Sequence, residues 1–296
     1  MSPENQATES AGSPFKGLLH RVMAFLAVLV VARFTLEVAG APEAVTRYVS
    51  STAGVFFAAI YLAALAPLRG GMRKFRQLLL PSLLISAWSV GWVILATIVA
   101  AVFRLERSHF AEKSDYGNWG NLGHHVLDHV VEIGVFFVLV LVMMTIVHVA
   151  WRWPLTVAPV AVLGGLVIMR YWVEAMGAPP PAAAAWSSTI GVLLSAIYIG
   201  GFGPRLGFVT APRLLVPSLV VAFAWRAWIF LAVLLSALIP FYKTHFFDPA
   251  GGRVVARLAG FLAGGVIVEG LIVSLIVWGI AVWIARATRP VAKAAT

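Results

Sequence analysis

The sequence predicts an all-α integral membrane protein of about eight transmembrane helices. We expect two parallel four-helix repeats, related by a pseudo-twofold axis along the membrane normal. Three observations lead to this prediction: an apolar composition, eight long apolar runs and an internal repeat. Of 296 residues, 61% are hydrophobic and 11% are charged, and the mean hydropathy is +0.92. An ordinary soluble domain carries about 25% charged residues, so the composition indicates a chain whose solvent is the lipid bilayer.

Eight apolar runs are long enough to cross a bilayer core, which requires about 20 helical residues. They are separated by polar or Pro/Gly-rich connections and lie at residues 18–38, 50–68, 78–103, 122–150, 154–174, 183–203, 214–240 and 256–286. The N-terminal stretch lacks the features of a cleaved signal peptide, so we expect the run that begins at Leu18 to be retained. The predicted organisation is a disordered cytoplasmic tail (1–16), two repeats (17–152 and 153–290) and a short C-terminal tail (291–296).

The distribution of lysine and arginine predicts the orientation of the chain. With the N-terminus inside, 12 basic residues lie on the cytoplasmic side and 7 on the outer side. This bias predicts cytoplasmic N- and C-termini, and we expect a bacterial inner membrane. The net charge of +10 comes largely from residues that flank the apolar runs. No continuous basic face indicates a nucleic-acid partner, and the absence of cysteine excludes disulfides and thiol chemistry.

An internal repeat relates the two halves of the chain. At a shift of 137 residues, the segment 33–67 matches 170–204 with 14 identities in 35 pairs, among them Arg, Glu, Ser, Thr, Tyr and Pro. At a shift of 136 the similarity continues in Leu78–Leu83 and Leu214–Leu219, and His109-Phe110 matches His245-Phe246. Four spans per half is an even number. The repeats are therefore expected to enter the membrane in the same direction.

Charged residues inside apolar runs are candidate functional groups, because each is unfavourable there. Arg33 and Glu37 form an i, i+4 pair that the repeat reproduces in Arg170 and Glu174. Arginine before glutamate is the weaker order on a helix, so local helix stability does not explain the pairs. Two interpretations remain open: an interhelical pair that joins the halves, or the charged lining of a substrate or ion pathway.

Glu132 and Glu269 are equivalent residues in the fourth span of each half. A carboxylate in lipid is expected to be protonated or paired. Arg226 lies about midway along the seventh span and is the expected ion-pair partner of Glu269, whereas Val90 stands at the matching position of the first half. Glu132 is therefore also a candidate for the substrate or ion pathway.

Histidines cluster at the start of the fourth span. His125, Asp128, His129 and Glu132 share one helix face, and the matching positions of the second half are apolar except for Glu269. This spacing suits a divalent metal ion, with His109 as a further ligand. The alternative is that these histidines are hydrated polar groups at the membrane interface.

Other cofactors and reactions find less support in the sequence. Haem is disfavoured, because His129 and His148 are separated by about 28 Å along one helix and no histidine spacing requires a haem. No phosphate-binding loop or nucleophile motif occurs.

Three functions therefore remain open. The first is transport of a small solute or ion at the interface of the repeats. The second is a membrane-embedded metal-dependent enzyme or redox subunit with an outer-face His/Glu site. The third is a non-catalytic partner in a membrane complex, so homo- and hetero-oligomers are both open. The sequence leaves undecided whether the protein is an enzyme.

Overall fold

A computed structural model describes residues 13–238, 244–247 and 254–288. All regular structure in this part of the chain is helical, without strands. Eight of its helical segments are long and apolar enough to span a membrane. The chain divides into two compact units between His148 and Val149, near the predicted boundary at 152/153.

The described residues of the first unit form five α-helices. The helices are α1 (Ser13–Val38), α2 (Glu43–Thr46), α3 (Ser51–Leu65), α4 (Arg76–Val102) and α5 (Trp119–Ala150). A 3-10 turn, Ala66–Arg69, extends α3, and another, Lys113–Asp115, lies between α4 and α5. Residues 13–16, predicted to belong to the tail, form the first turn of α1, where Pro14 suits a helix start because its missing N–H has no role there. Residues 1–12 lie outside the described part of the chain.

The second unit contains several helices and ends with a long, irregular span. Its helices are α6 (Pro154–Ala175), α7 (Pro180–Ala184), α8 (Ser188–Phe202), α9 (Ala211–Leu238), α10 (Val254–Gly260) and α11 (Glu269–Ala287). A π-helix, Phe261–Val268, connects α10 to α11, so that Val254–Ala287 is one continuous span. The predicted C-terminal tail, 291–296, lies outside the described residues.

Apolar side chains between helices form the core of the first unit. Leu26 of α1, Leu62 of α3, Ile85 of α4 and Met143 of α5 are essentially inaccessible. At the end that carries the segment 103–118, a second apolar cluster joins residues of α1, α4, α5 and that segment. These contacts position the segment 103–118 against the helix ends.

Tryptophan indoles link the helices of the second unit. Trp228 of α9 donates to the Val160 carbonyl of α6 (3.1 Å), Trp225 to the Ser188 hydroxyl of α8 (2.9 Å), and Trp278 of α11 to the Ala211 carbonyl (2.7 Å). Such hydrogen bonds join neighbouring membrane helices while keeping buried polar atoms satisfied.

Two features at positions that the 137-residue shift aligns are alike in both units. Gly54 lies against Leu26 and Leu29, and Gly191, at a shift of 137, lies against Leu163 and Leu166. Both first helices also end alike. Gly40 (φ 84°) and Gly177 (φ 75°) follow α1 and α6 in the left-handed conformation, and the next residue in each unit donates its N–H back to the helix, as in a Schellman cap.

Candidate functional site

A buried carboxylate at the end of α1 is held by an arginine and a histidine. Arg33 Nε donates to Glu37 Oε1 at 3.0 Å. The other oxygen, Oε2, accepts the backbone N–H of His109 at 3.1 Å and lies 2.6 Å from His109 Nδ1. The Glu37 side chain is 6% exposed, whereas His109 is about half exposed. The carboxylate therefore fixes the segment after α4 to the last turn of α1.

The second unit builds the same arrangement from the matching residues. Arg170 Nε donates to Glu174 Oε1 at 3.1 Å, and Glu174 Oε2 accepts the backbone N–H of His245 at 3.0 Å and lies 2.5 Å from its Nδ1. Each histidine ring also packs on the following phenylalanine, with centroid distances of 4.2 Å for His109 and 4.0 Å for His245. We call each group an Arg–Glu–His site.

The i, i+4 geometry explains one half of each site. Arginine and glutamate four residues apart lie on the same helix face, and each Arg–Glu ion pair forms within its own helix. The histidine comes from a connecting segment of the same unit. The carboxylate is thus saturated by charge-assisted hydrogen bonds, which are stronger than neutral ones.

A polar cleft of about 700 Å³ opens beside Glu37. Its charged and titratable lining carries both signs and comprises Arg33, Glu37, Glu43, Glu106, Arg107 and His109. The left-handed Gly40 allows Arg107 to approach closely, because a Cβ there would lie 2.6 Å from Arg107 Nη1. The dimensions suit a small molecule, and the lining suits polar or ionic groups.

Four titratable side chains follow one another from the segment 103–118 along α5. His125 Nδ1 lies 2.9 Å from Asp115 Oδ2, the His125 and His129 ring centroids are 5.0 Å apart, and His129 Nδ1 lies 2.9 Å from Glu132 Oε2. Thr97 Oγ1 of α4 lies 3.4 Å from His129 Nε2. The predicted member Asp128 is exposed on the same helix.

The electrostatics of the extramembrane segment centre on Asp115, which is 4% exposed. Burial alone would raise the pKa of Asp115, but hydrogen bonds from His125 and the Glu112 amide, with the charge of His125, bring it below its usual range. Burial raises the pKa of the neighbouring Tyr116, and the carboxylates of Glu106 and Asp115 raise it further. Asp115 is therefore a carboxylate at neutral pH.

Each of the three candidate histidine ligands contacts a different carboxylate. His109 contacts Glu37, His125 contacts Asp115, and His129 contacts Glu132. Among the described residues, no three His, Cys, Asp or Glu side chains are arranged to hold a metal ion. The geometry supports hydrogen-bonded pairs at these positions.

A buried arginine of α9 contacts the π-helix of the second unit. Arg226 Nη2 lies 2.6 Å from Glu269 Oε2, and Arg226 Nε donates to the Gly265 carbonyl at 2.7 Å. The guanidinium lies 5.3 Å from the ring centroids of Trp225 and of Phe261. The sequence predicts the ion pair but not the Gly265 carbonyl, which the altered hydrogen bonding of a π-helix makes available.

Sequence reasoning missed three partners within these sites. The contacts of Glu37 and Glu174 with histidines were not predicted. The His-Phe dipeptide, which occurs in both halves together with Arg-x3-Glu, could have indicated them. Asp115 also escaped it, because nothing in the spacing joins Asp115 to a histidine ten residues later. The predicted pathway residues Arg33 and Arg170 form ion pairs with Glu37 and Glu174. Glu132 contacts His129.

The eight apolar helices define the class of the molecule as a polytopic integral membrane protein. Comparison with known proteins gives no narrower class: no protein-family model, no curated protein and no solved structure matches the chain significantly.

Proposed function

We propose that the protein transports a small polar or ionic solute across the bilayer, through a pathway that includes the cleft beside Glu37. The observation that carries the proposal is this cleft, which exposes a mixed set of charged groups at the end of an apolar unit. Intramembrane and boundary charges of this kind typically mark substrate and ion pathways. The mixed signs favour a solute with both hydrogen-bond donors and acceptors.

We further propose that the chain arose from a duplicated four-helix unit. The support is the coincidence of sequence identity with contact identity at the two Arg–Glu–His sites. The pseudo-twofold axis and the placement of the pathway between the repeats stay predictions. So do the bacterial inner membrane and the cytoplasmic termini, an orientation in which the Arg33–Glu37–His109 site would face outward.

Transport by purified protein in liposomes tests the function. The probes are amino acids, dicarboxylates, phosphate and monovalent cations, screened one at a time on a solid-supported membrane. We expect a current or uptake with at least one probe, and a loss of about tenfold or more in Glu37→Gln. Loss of one charge-assisted hydrogen bond is worth roughly 1.5–3 kcal/mol, and 1.4 kcal/mol is tenfold.

The matched control is Asp128→Asn, which neutralises an exposed carboxylate elsewhere in the same unit. It should transport like the wild type. If no probe moves, or if a folded Glu37→Gln protein transports normally, the cleft is not a transport pathway. The Arg–Glu–His site then has only a structural role in fixing the segment 103–118 to α1.

A further inference from the structure

The chain of titratable groups in the first unit leads from an extramembrane segment into a membrane span. Asp115 lies before α5, and Glu132 is 13 residues after Trp119, the first residue of that helix. At 1.5 Å per residue, this is about 20 Å along the axis. The following stretch without charged residues or histidine, 133–147, is shorter than the about 20 residues that cross a bilayer core.

Short contacts connect the four titratable groups in order. Two are hydrogen-bond distances of 2.9 Å, Asp115 to His125 and His129 to Glu132, and the third is the 5.0 Å centroid separation of the two histidine rings. A centroid separation of 5.0 Å leaves room for the ring nitrogens to exchange a proton directly or through one bridging water. Histidine is the side chain best suited to shuttle protons near neutral pH.

The surroundings of the two histidines hold few other charges. From α4 the facing polar group is the uncharged Thr97, and α1 contributes the apolar Val30 and Phe34 to the cluster beside them. The segment 103–118 contributes Asp115, with Tyr116 next to it and Arg104 lining a small pocket around Asp115. On α5 itself, His124 and Asp128 are exposed.

The second unit offers an informative comparison. At the positions of His125, Asp128 and His129 it has Leu262, Gly265 and Val266. Its equivalent carboxylate, Glu269, contacts the guanidinium of Arg226, which stays protonated. One unit therefore pairs its glutamate with a permanent cation, and the other pairs it with a histidine, the side-chain type used for proton shuttling.

We propose that Asp115, His125, His129 and Glu132 form a proton relay that loads Glu132 from the aqueous end of α5. This inference rests on the proposed transport function. It names the proton as the ion that the protein transports or couples to the transport of a solute. The Asp115 carboxylate accepts the Nδ1–H of His125 and stabilises the ring while it is protonated. A hydronium ion gives a proton to His125 Nε2 and leaves as water, and His125 passes this Nε2 proton to the Nε2 of His129. His129 in turn releases its Nδ1 proton to Glu132 Oε2. Each imidazole ends neutral, and the carboxylate becomes a carboxylic acid.

Proton flux into liposomes tests the relay. Liposomes that contain pyranine are given an inward-directed driving force by a potassium gradient and valinomycin, with and without the solute probes. We expect acidification with the wild type. The folded variants His129→Gln and Glu132→Gln should reduce it at least tenfold, towards the rate of protein-free liposomes. His124→Gln and Asp128→Asn, which alter exposed groups of the same types on the same helix, should leave the flux unchanged.

Infrared difference spectra between acidic and neutral pH provide a second readout. The relay predicts a protonated-carboxyl band at low pH that Glu132→Gln removes and Asp128→Asn keeps. Wild-type liposomes that move a solute without protons would overturn the relay and leave transport standing. Proton flux without movement of any solute would support the relay and contradict solute transport. Normal proton flux in His129→Gln or an unchanged band in Glu132→Gln would also overturn it.

Discussion

At the scale of single residues, Asp115 links the extramembrane segment to α5 through His125. The pKa of its carboxyl is lowered in the folded protein, because the hydrogen bonds and charge outweigh the effect of burial. A lowered folded pKa means that the carboxylate stabilises the fold above the unfolded pKa, about 3.9. This stabilisation disappears as the pH falls through the folded value.

Asp115→Asn should therefore destabilise the protein at neutral pH and have less effect in acid. We expect the difference in thermal stability between wild type and variant to shrink as the pH falls below about pH 4. Unfolding temperatures in detergent from pH 7 to pH 3 provide the measurement. Glu106→Gln, a change at an exposed neighbour, is the control. A difference that stays constant down to pH 3 would show that the Asp115 carboxylate has no special role.

Arg226 and Glu269 form the second residue-scale test. Arg226 is 7% exposed, so removing Glu269 leaves a buried guanidinium whose remaining described hydrogen bond goes to the Gly265 carbonyl. We expect Arg226→Leu and Glu269→Leu together to lose less stability than the sum of the single changes, by roughly 1 kcal/mol. Thermal unfolding in detergent measures this cycle.

The matched control is a cycle with Arg213, which lies in the first turn of α9 and donates to the Gly207 carbonyl. Thirteen residues separate the two arginines, about 20 Å along the helix, so Arg213→Leu and Glu269→Leu should be additive. If the Arg226 cycle is also additive, the contact contributes nothing to stability, and Glu269 becomes a candidate functional carboxylate like Glu132.

At the scale of helices, close packing of α8 on α11 depends on one of two adjacent glycines. A Cβ on Gly200 would lie 2.6 Å from the Ala281 carbonyl oxygen, whereas one on Gly201 meets nothing within 4 Å. Small residues allow membrane helices to approach this closely. We expect Gly200→Ala to destabilise the protein by about 1–3 kcal/mol, as overpacking does.

Gly201→Ala is the internal control for this prediction. It adds the same methyl group one residue later and should be neutral or stabilising by up to about 1 kcal/mol, since alanine favours helix more than glycine. Unfolding temperatures of the two variants, compared in one detergent, are sufficient. Equal effects of the two substitutions would contradict the described packing of α8 on α11.

The sequence predicts the helices of this protein better than the contacts between them. The apolar runs fixed the eight membrane-spanning helices, because length and hydropathy are local properties. The i, i+4 pairs were also visible, and matched depth in neighbouring spans suggested Arg226 with Glu269. By contrast, His109 and Glu37 are 72 residues apart. Their contact depends on how the segment 103–118 folds back onto α1, which no local pattern encodes. The π-helix was missed for the same reason.

At the scale of the whole molecule, the two units share one kind of polar site and differ in their other charged groups. Both units carry an Arg–Glu–His site. Among the described residues, His125 and His129 of α5 belong to the first unit, and a buried arginine contacts the fourth-span glutamate of the second. The cleft beside Glu37 is the place where the proposed transport function can be tested most directly.

The most direct measurement exploits the absence of cysteine from the sequence. A single Ala41→Cys, in the lining of the cleft, is treated with a membrane-impermeant thiol reagent in liposomes that transport an identified solute. Lys113→Cys, whose parent side chain is 80% exposed outside the cleft, is the labelling control. We predict that modification of Ala41→Cys stops transport, that excess solute slows the modification, and that modified Lys113→Cys transports normally. Complete modification of Ala41→Cys with undiminished transport would contradict the assignment of the cleft as the solute pathway.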